Sequence, residues 1–222
     1  MIHIAILKPG YIDAILEGRK TIESRLSKTA QPPYGKVEPG ERLFLKVSGG
    51  AFMGTCVAGE VQSFAELTSA KLKRLRKRFN DQICGDDAYW HLKRESRYAT
   101  LIDLHDVEPV PVGPKYKVAY MKAWYVLDEA LSPVRDWTIT AGALRNRYAM
   151  LPETSGSKKQ PGTRVTLELP GGEVVTTELA KGRMLRWRGW GPVYEVAGAR
   201  AGDMLRYIAL GGGRYAVRVV RR

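Results

Sequence analysis

The eight residues Gly18-Arg19-Lys20-Thr21-Ile22-Glu23-Ser24-Arg25 leave the start of this chain little conformational choice. Ile12, Ile15 and Leu16 recur at helical spacing before them, and Gly18 suits the left-handed conformation that ends a helix. Beyond the glycine the period changes. Strand spacing puts Glu23 and Arg25 on one face with Thr21, whereas helical spacing would scatter Lys20, Glu23 and Arg25. Lys20 stands at the turn itself. Mixed charge along one strand face ordinarily forms a solvated surface pair, so the neighbouring residues decide what this one is for.

Those neighbours are specific. Lys8-Pro9-Gly10-Tyr11 precedes the stretch, Pro32-Pro33-Tyr34-Gly35 follows it, and Lys46-Val47-Ser48-Gly49-Gly50 ends the next strand. With Gly18, Lys20, Glu23 and Arg25 in the pattern G-x-K-x-x-E-x-R, residues 1–127 resemble the ASCH family, a branch of the PUA-like β-barrels. The resemblance implies a mainly β fold with α (α+β): a PUA-like barrel with inserted helices and a cleft lined by the signature residues. Some relatives are known as amidohydrolases acting on an acylated cytidine, and others as ribonucleases. In the amidohydrolases a lysine and a threonine of the signature strand work with a glutamate from the helical insertion. Lys20 matches that lysine, Glu23 stands at the threonine position, and Asp86 or Asp87 is the nearest acidic candidate for the glutamate. The amidohydrolase set is therefore not intact.

Composition narrows the choice. At 222 residues with 44% hydrophobic and 27% charged residues the chain is a folded globular protein, with length for one large domain or two small ones. Cys56 and Cys84 form neither a disulfide framework nor a metal-ligand spacing, and Cys56, in an apolar stretch, reads as a buried thiol. Met1 to Leu7 is a first strand broken by Pro9 rather than a secretion signal, and no apolar run reaches the ~20 residues of a membrane helix, so a cytoplasmic location is expected. His3, His91 and His105 are scattered, and no Walker loop, G-x-S-x-G or HExxH occurs. Neither a metal nor a cofactor is expected. Catalysis, if present, falls to Lys20 or Glu23 as general base, with Arg25 and Lys46 stabilising negative charge.

The net charge of +13 and pI near 9.8 favour a polyanionic partner such as RNA or DNA, and beside the ASCH resemblance RNA is the partner expected first. Lys71 to Arg78 holds six basic residues in eight, on a helix that Ser63-Phe64-Ala65-Glu66 would open as a capping box. Leu72, Leu75 and Phe79 give that helix its apolar stripe, leaving Lys71, Lys73, Arg74, Lys77 and Arg78 to meet phosphates without reading sequence. Lys8, Tyr34 and Lys46 complete the nucleic-acid set of the first domain. Lys115 to Leu127 reads as a last strand or pair of strands, whose Tyr116, Tyr120, Trp124 and Tyr125 lie among Lys115, Lys117 and Lys122. Such aromatics stack bases or fill a core, and Trp124 is assigned to the core.

Three segments follow: a barrel over 1–127, a connecting helix and linker over 128–162, and a small basic all-β domain over 163–222. In the last, the order Gly189-Trp190, Gly202-Asp203-Met204-Leu205 and a closing strand resembles B3-type DNA-binding pseudobarrels. That likeness implies a DNA partner for this domain, contacted through Arg183, Arg186, Arg188 and Arg206. Two functions from different classes stay open: a nucleic-acid-binding protein holding a base in the barrel cleft, or a metal-independent hydrolase, either a ribonuclease or a nucleoside amidohydrolase.

Overall fold

The computed structural model describes residues 1–119, 122–152 and 160–222, in two compact units, Met1–Glu129 and Ala130–Arg222. Tyr120 and the central linker residues 153–159 lie outside the described residues. The fold is mainly β with α and barrel-like, as the sequence suggests.

The first unit runs β1 (Ile2–Leu7), α1 (Pro9–Leu16), β2 (Ile22–Ser27), β3 (Arg42–Val47), β4 (Phe52–Phe64), α2 (Ser69–Ile83), α3 (Asp87–Leu92), β5 (Tyr98–Pro109) and β6 (Trp124–Leu127). Gly18 takes φ 75° just beyond α1, as its place after the apolar stripe requires. The sheet order is β2-β5-β4-β3-β1-β6, with β1 and β3 parallel and every other neighbour antiparallel. Bulges at Leu45/Lys46 and between Ala58 and Val61 sharpen its twist, and the sheet curls into a half-barrel.

Alternation along β2 then sorts its side chains between two cores. Ile22 and Leu26 join Leu72, Leu75, Phe79, Ile83 and Trp90, so α2 and α3 pack on the outer side of β2 and β5. Glu23 and Arg25 point the other way, toward the inside of the curl. There Ala5, Leu7, Ile12, Ile15, Leu43, Leu45, Cys56, Ile102 and Trp124 form the second core, in which Cys56 and Trp124 are buried as expected.

Two local expectations fail here. Ser63 does not open a helix: β4 continues through Phe64, with Ser63 opposite Thr100 in the ladder. Leu67 is drawn into the α2 core and its N–H goes to Arg97 O, so the cap falls to Thr68, whose side chain accepts from Lys71 N at 3.3 Å. Among the described residues of the stretch from Lys115 to Leu127, only Trp124–Leu127 form a strand, along β1.

The second unit runs β7 (Val134–Thr138), α4 (Ala141–Asn146), β8 (Arg164–Glu168), β9 (Val174–Glu178), α5 (Trp190–Ala197), β10 (Met204–Gly211) and β11 (Arg214–Val220). Its sheet order is β7-β10-β11-β8-β9, with β8 and β11 parallel. The segment expected as a connection thus supplies an edge strand, because Val134–Thr138 alternates in register with Met204–Ile208. The unit is also not all-β. Trp190 and Tyr194, four residues apart, set α5 on a core of Leu167, Leu185, Leu205, Tyr207 and Val217. No helix of the described residues is long and apolar enough to cross a membrane.

Candidate functional site

A cleft of about 1450 Å³ opens in the first unit between the end of β1, α1, β2, the Gln31–Tyr34 loop, the C-terminus of α2, α3 and the approach to β6. The signature residues form its floor, and they are buried rather than solvated: Lys20 is 3% exposed and Glu23 2%. Lys20 Nζ donates to Ile22 O at 2.6 Å and Ile83 O at 3.0 Å, and lies 3.4 Å from Glu23 Oε2. Two of the three ammonium protons are thus given to main-chain carbonyls, and the charge is paired with the Glu23 carboxylate. The face of Tyr11 lies 5.5 Å from the same nitrogen.

Glu23 also accepts from Arg25 Nε at 2.7 Å through Oε1, so one carboxylate joins two cations and both of its oxygens are engaged. Arg25 in turn donates to Ile6 O at 3.0 Å and Ala123 O at 3.3 Å, and its guanidinium stands 5.1 Å over Trp124. Trp124 Nε1 donates to His3 Nδ1 at 3.2 Å. That nitrogen therefore carries no proton, and the neutral ring donates from Nε2 to Glu41 Oε2 at 2.7 Å. Burial lowers the pKa of His3, against the pull of Glu41. For the Glu41 carboxyl, burial works upward but is outweighed by hydrogen bonds from the Met1 amino group, His3 and the Glu38 N–H, which bring it to about 2.

A second lysine enters the cleft unannounced by any motif. Lys93, just past α3, is half-buried, and Nζ donates to Leu26 O at 3.1 Å. Burial, and then the charge of Arg25, lower its pKa. The available signal was its place four residues after Tyr89, which puts both on one helical face. Tyr89 shares a 2.7 Å hydrogen bond with Ser24, and burial pushes its phenol well up.

The other expected residues divide. Lys8 and Tyr34 line the cleft, Tyr34 meeting Tyr98 edge-on at 5.1 Å. Lys46 does not line it: its Nζ is turned to Gly50 O and stands 5.8 Å over Phe52. Lys71, Lys73, Arg74, Lys77 and Arg78 occupy the exposed side of α2, outside the cleft, with Arg78 4.8 Å over Phe79. Asp86 and Asp87 line the mouth but are occupied, Asp86 capping α3 through Tyr89 N at 2.6 Å and Asp87 pairing with Arg76. Arg186 and Arg188 are exposed on the second unit. Arg206, expected as a contact residue, is instead 2% exposed and held by Asp136 through two 2.9 Å bonds.

No family model matches the chain, and no curated protein does. Among solved structures it is similar to the ASCH protein of Zymomonas mobilis, at 17% identity over 48% of this chain and 68% of that one, with a TM-score of 0.39. A point variant of that protein aligns at 16% identity over 57% and 90% of the two chains, with a TM-score of 0.45. The N-terminal domain of Staphylothermus marinus McrB aligns at 14% identity over 49% and 73%, with a TM-score of 0.34. The first two are ASCH structures, the family that the Gly18–Arg25 signature resembles.

Proposed function

We propose that the protein binds nucleic acid, RNA above all, holding a base or nucleotide in the cleft of the first unit. The carrying observation is the cleft's lining. Seven basic side chains (Lys8, Arg19, Lys20, Arg25, Lys93, Arg94 and Lys122) stand against only three carboxylates there, Glu23, Asp86 and Asp87. Glu23 pairs with Lys20 and Arg25, and Arg19 and Arg94 pair with Glu17 and Glu95, so among the described residues Lys8, Lys93 and Lys122 are the lining cations without a carboxylate partner, beside Tyr11, Tyr34, Tyr89 and Tyr98. Cations for phosphates beside aromatic rings for bases are the two components of single-strand binding. The cations of α2 add sequence-independent phosphate contacts outside the cleft.

Hydrolysis is the second reading, and Lys93 is the observation that favours it. Lys20, held by two main-chain carbonyls and the Glu23 carboxylate, is taken as a structural cation. Lys93 has one carbonyl acceptor and a guanidinium for a neighbour, conditions that suit a general base.

The test is incubation of metal-free protein with labelled single-stranded RNA and DNA at low salt, scoring binding and cleavage together. Salt-sensitive binding that weakens in Lys8→Ser and Arg94→Ser supports the binding reading. No affinity for either polymer at low salt, where phosphate contacts are strongest, refutes it. Strand cleavage lost in Lys93→Met, with binding retained, supports the hydrolase.

A further inference from the structure

The chain's positive charge is unevenly shared. Residues 130–222 hold sixteen Lys and Arg against seven Asp and Glu, a surplus of nine, whereas residues 1–129 hold twenty against sixteen. The carboxylates of the second unit are also largely engaged. Glu168 pairs with Arg214, Glu178 with Arg164, Glu195 with Arg147 and Asp136 with Arg206, while Asp203 accepts backbone N–H groups of Arg200 and Arg222. Among the described residues, exposed cations of this unit such as Lys181, Arg186 and Arg188 have no carboxylate partner.

One stretch combines such cations with an aromatic ring. Between β9 and α5, Lys181, Arg186 and Arg188 are exposed, and among the described residues the side chains of Arg186 and Arg188 make neither a hydrogen bond nor an ion pair. Trp187 lies between the two arginines, half-buried. Its ring rests on the backbone of Gly189, where a Cβ would stand only 2.1 Å from it, and meets the buried Trp190 edge-on at 5.2 Å. Gly189 is thus the residue that lets the indole lie flat, and Trp190 fixes its tilt. A fixed indole, flanked in sequence by two arginines without ion-pair partners, costs little ordering entropy when a base and its phosphates arrive.

We propose that this Lys181–Gly191 stretch is a second contact surface for single-stranded nucleic acid, Arg186 and Arg188 meeting phosphates and Trp187 a base. The proposal rests on the binding reading above and gives it a site outside the barrel cleft. It selects a single strand because a base must be unstacked from its neighbours to lie on an indole.

The test uses the full chain with a labelled single-stranded oligonucleotide, titrated against salt. Arg186→Ser with Arg188→Ser is expected to weaken binding about tenfold or more at low salt, and to flatten the plot of log K against log salt by about 1.4, two phosphates' worth. Trp187→Leu is expected to weaken binding about tenfold with the slope unchanged, and Trp187→Tyr to recover most of the loss. The arginine pair is exposed, so its replacement leaves the thermal transition in place and the result interpretable. If the wild-type chain binds neither RNA nor DNA, the binding reading falls and this proposal with it. If the wild type binds and the arginine pair leaves affinity and slope unchanged, this proposal alone is overturned, and the cleft reading stands. Tighter binding of duplex than of single strand, or equal binding of polyglutamate, also overturns it.

Discussion

Arg25 on the edge strand β2 donates Nη2 to the main-chain carbonyl of Ile6 on β1, 3.0 Å away, although β2 and β1 stand four places apart in the sheet order. One side chain therefore spans the mouth of the half-barrel, where no strand ladder closes it. Its partner Glu23 is 2% exposed, so removing the guanidinium leaves a buried carboxylate with one cation fewer. Arg25→Met is expected to destabilise the first unit by about 3 kcal/mol, read as an earlier first transition in urea unfolding. Arg25→Lys keeps the charge without the planar fork and should recover less than half of the loss. Recovery to wild-type stability would show that the charge alone is what matters.

Lys20 is the residue that a motif-based experiment would replace first, and its surroundings make that experiment misleading. Lys20→Ala orphans the carbonyls of Ile22 and Ile83 and loosens Glu23. A destabilisation of about 3–5 kcal/mol is expected, so lost function in this variant reports unfolding. Chemical denaturation beside any activity assay separates the two. A variant as stable as wild type but inactive would return Lys20 to a catalytic role.

Burial and the charge of Arg25 lower the pKa of Lys93, so its amine should give up its proton more readily than that of an exposed lysine. At neutral pH, reductive methylation followed by mass mapping is expected to label it faster than the exposed Lys36, once its partial burial is allowed for. Arg25→Gln removes one of the two causes of its lowered pKa and should slow the labelling. Because the folded pKa lies below the unfolded value, the unfolded chain binds more protons in that window, and stability rises with pH through it. Lys93→Met should remove that rise.

His3 gives the acid side of the pH dependence. Its folded pKa lies below the ordinary 6.5, so its contribution is fully present above that pH and is lost as pH falls toward the folded value. Protonation would put a second donor against the indole N–H of Trp124. Below pH 4.5 Glu41 adds a loss in the same direction, down to its folded value of about 2. Thermal transitions of the wild type should fall more steeply than those of His3→Gln as pH drops below 6.5, and parallel slopes would remove His3 from the account.

What the sequence made legible was periodic and local. Alternation in Leu43-Phe44-Leu45 marks β3, and the two-residue spacing of Glu23 and Arg25 does place them together. What it hid was reach across the chain. Ile83 O, which completes the shell of Lys20, is 63 residues away, and Leu26 O, which fixes Lys93, is 67 away. The misplaced cap of α2 has a similar origin. Ser63 carries the right side chain, but the ladder to Thr100 claims its backbone first, and that pairing is invisible in a four-residue window. Arg206 looked like its neighbouring arginines until β7 brought Asp136 beside it.

That pairing of β7 with β10 sets where the molecule can be cut. A fragment begun at residue 163, the boundary that composition suggests, would leave out Val134–Thr138 and bare the whole N–H and C=O row of β10 to solvent. Arg206 would lose its carboxylate in the same cut. Such a fragment presents a template for strand addition by its own copies, and it should precipitate on expression, whereas one begun at Ala130 keeps the edge covered.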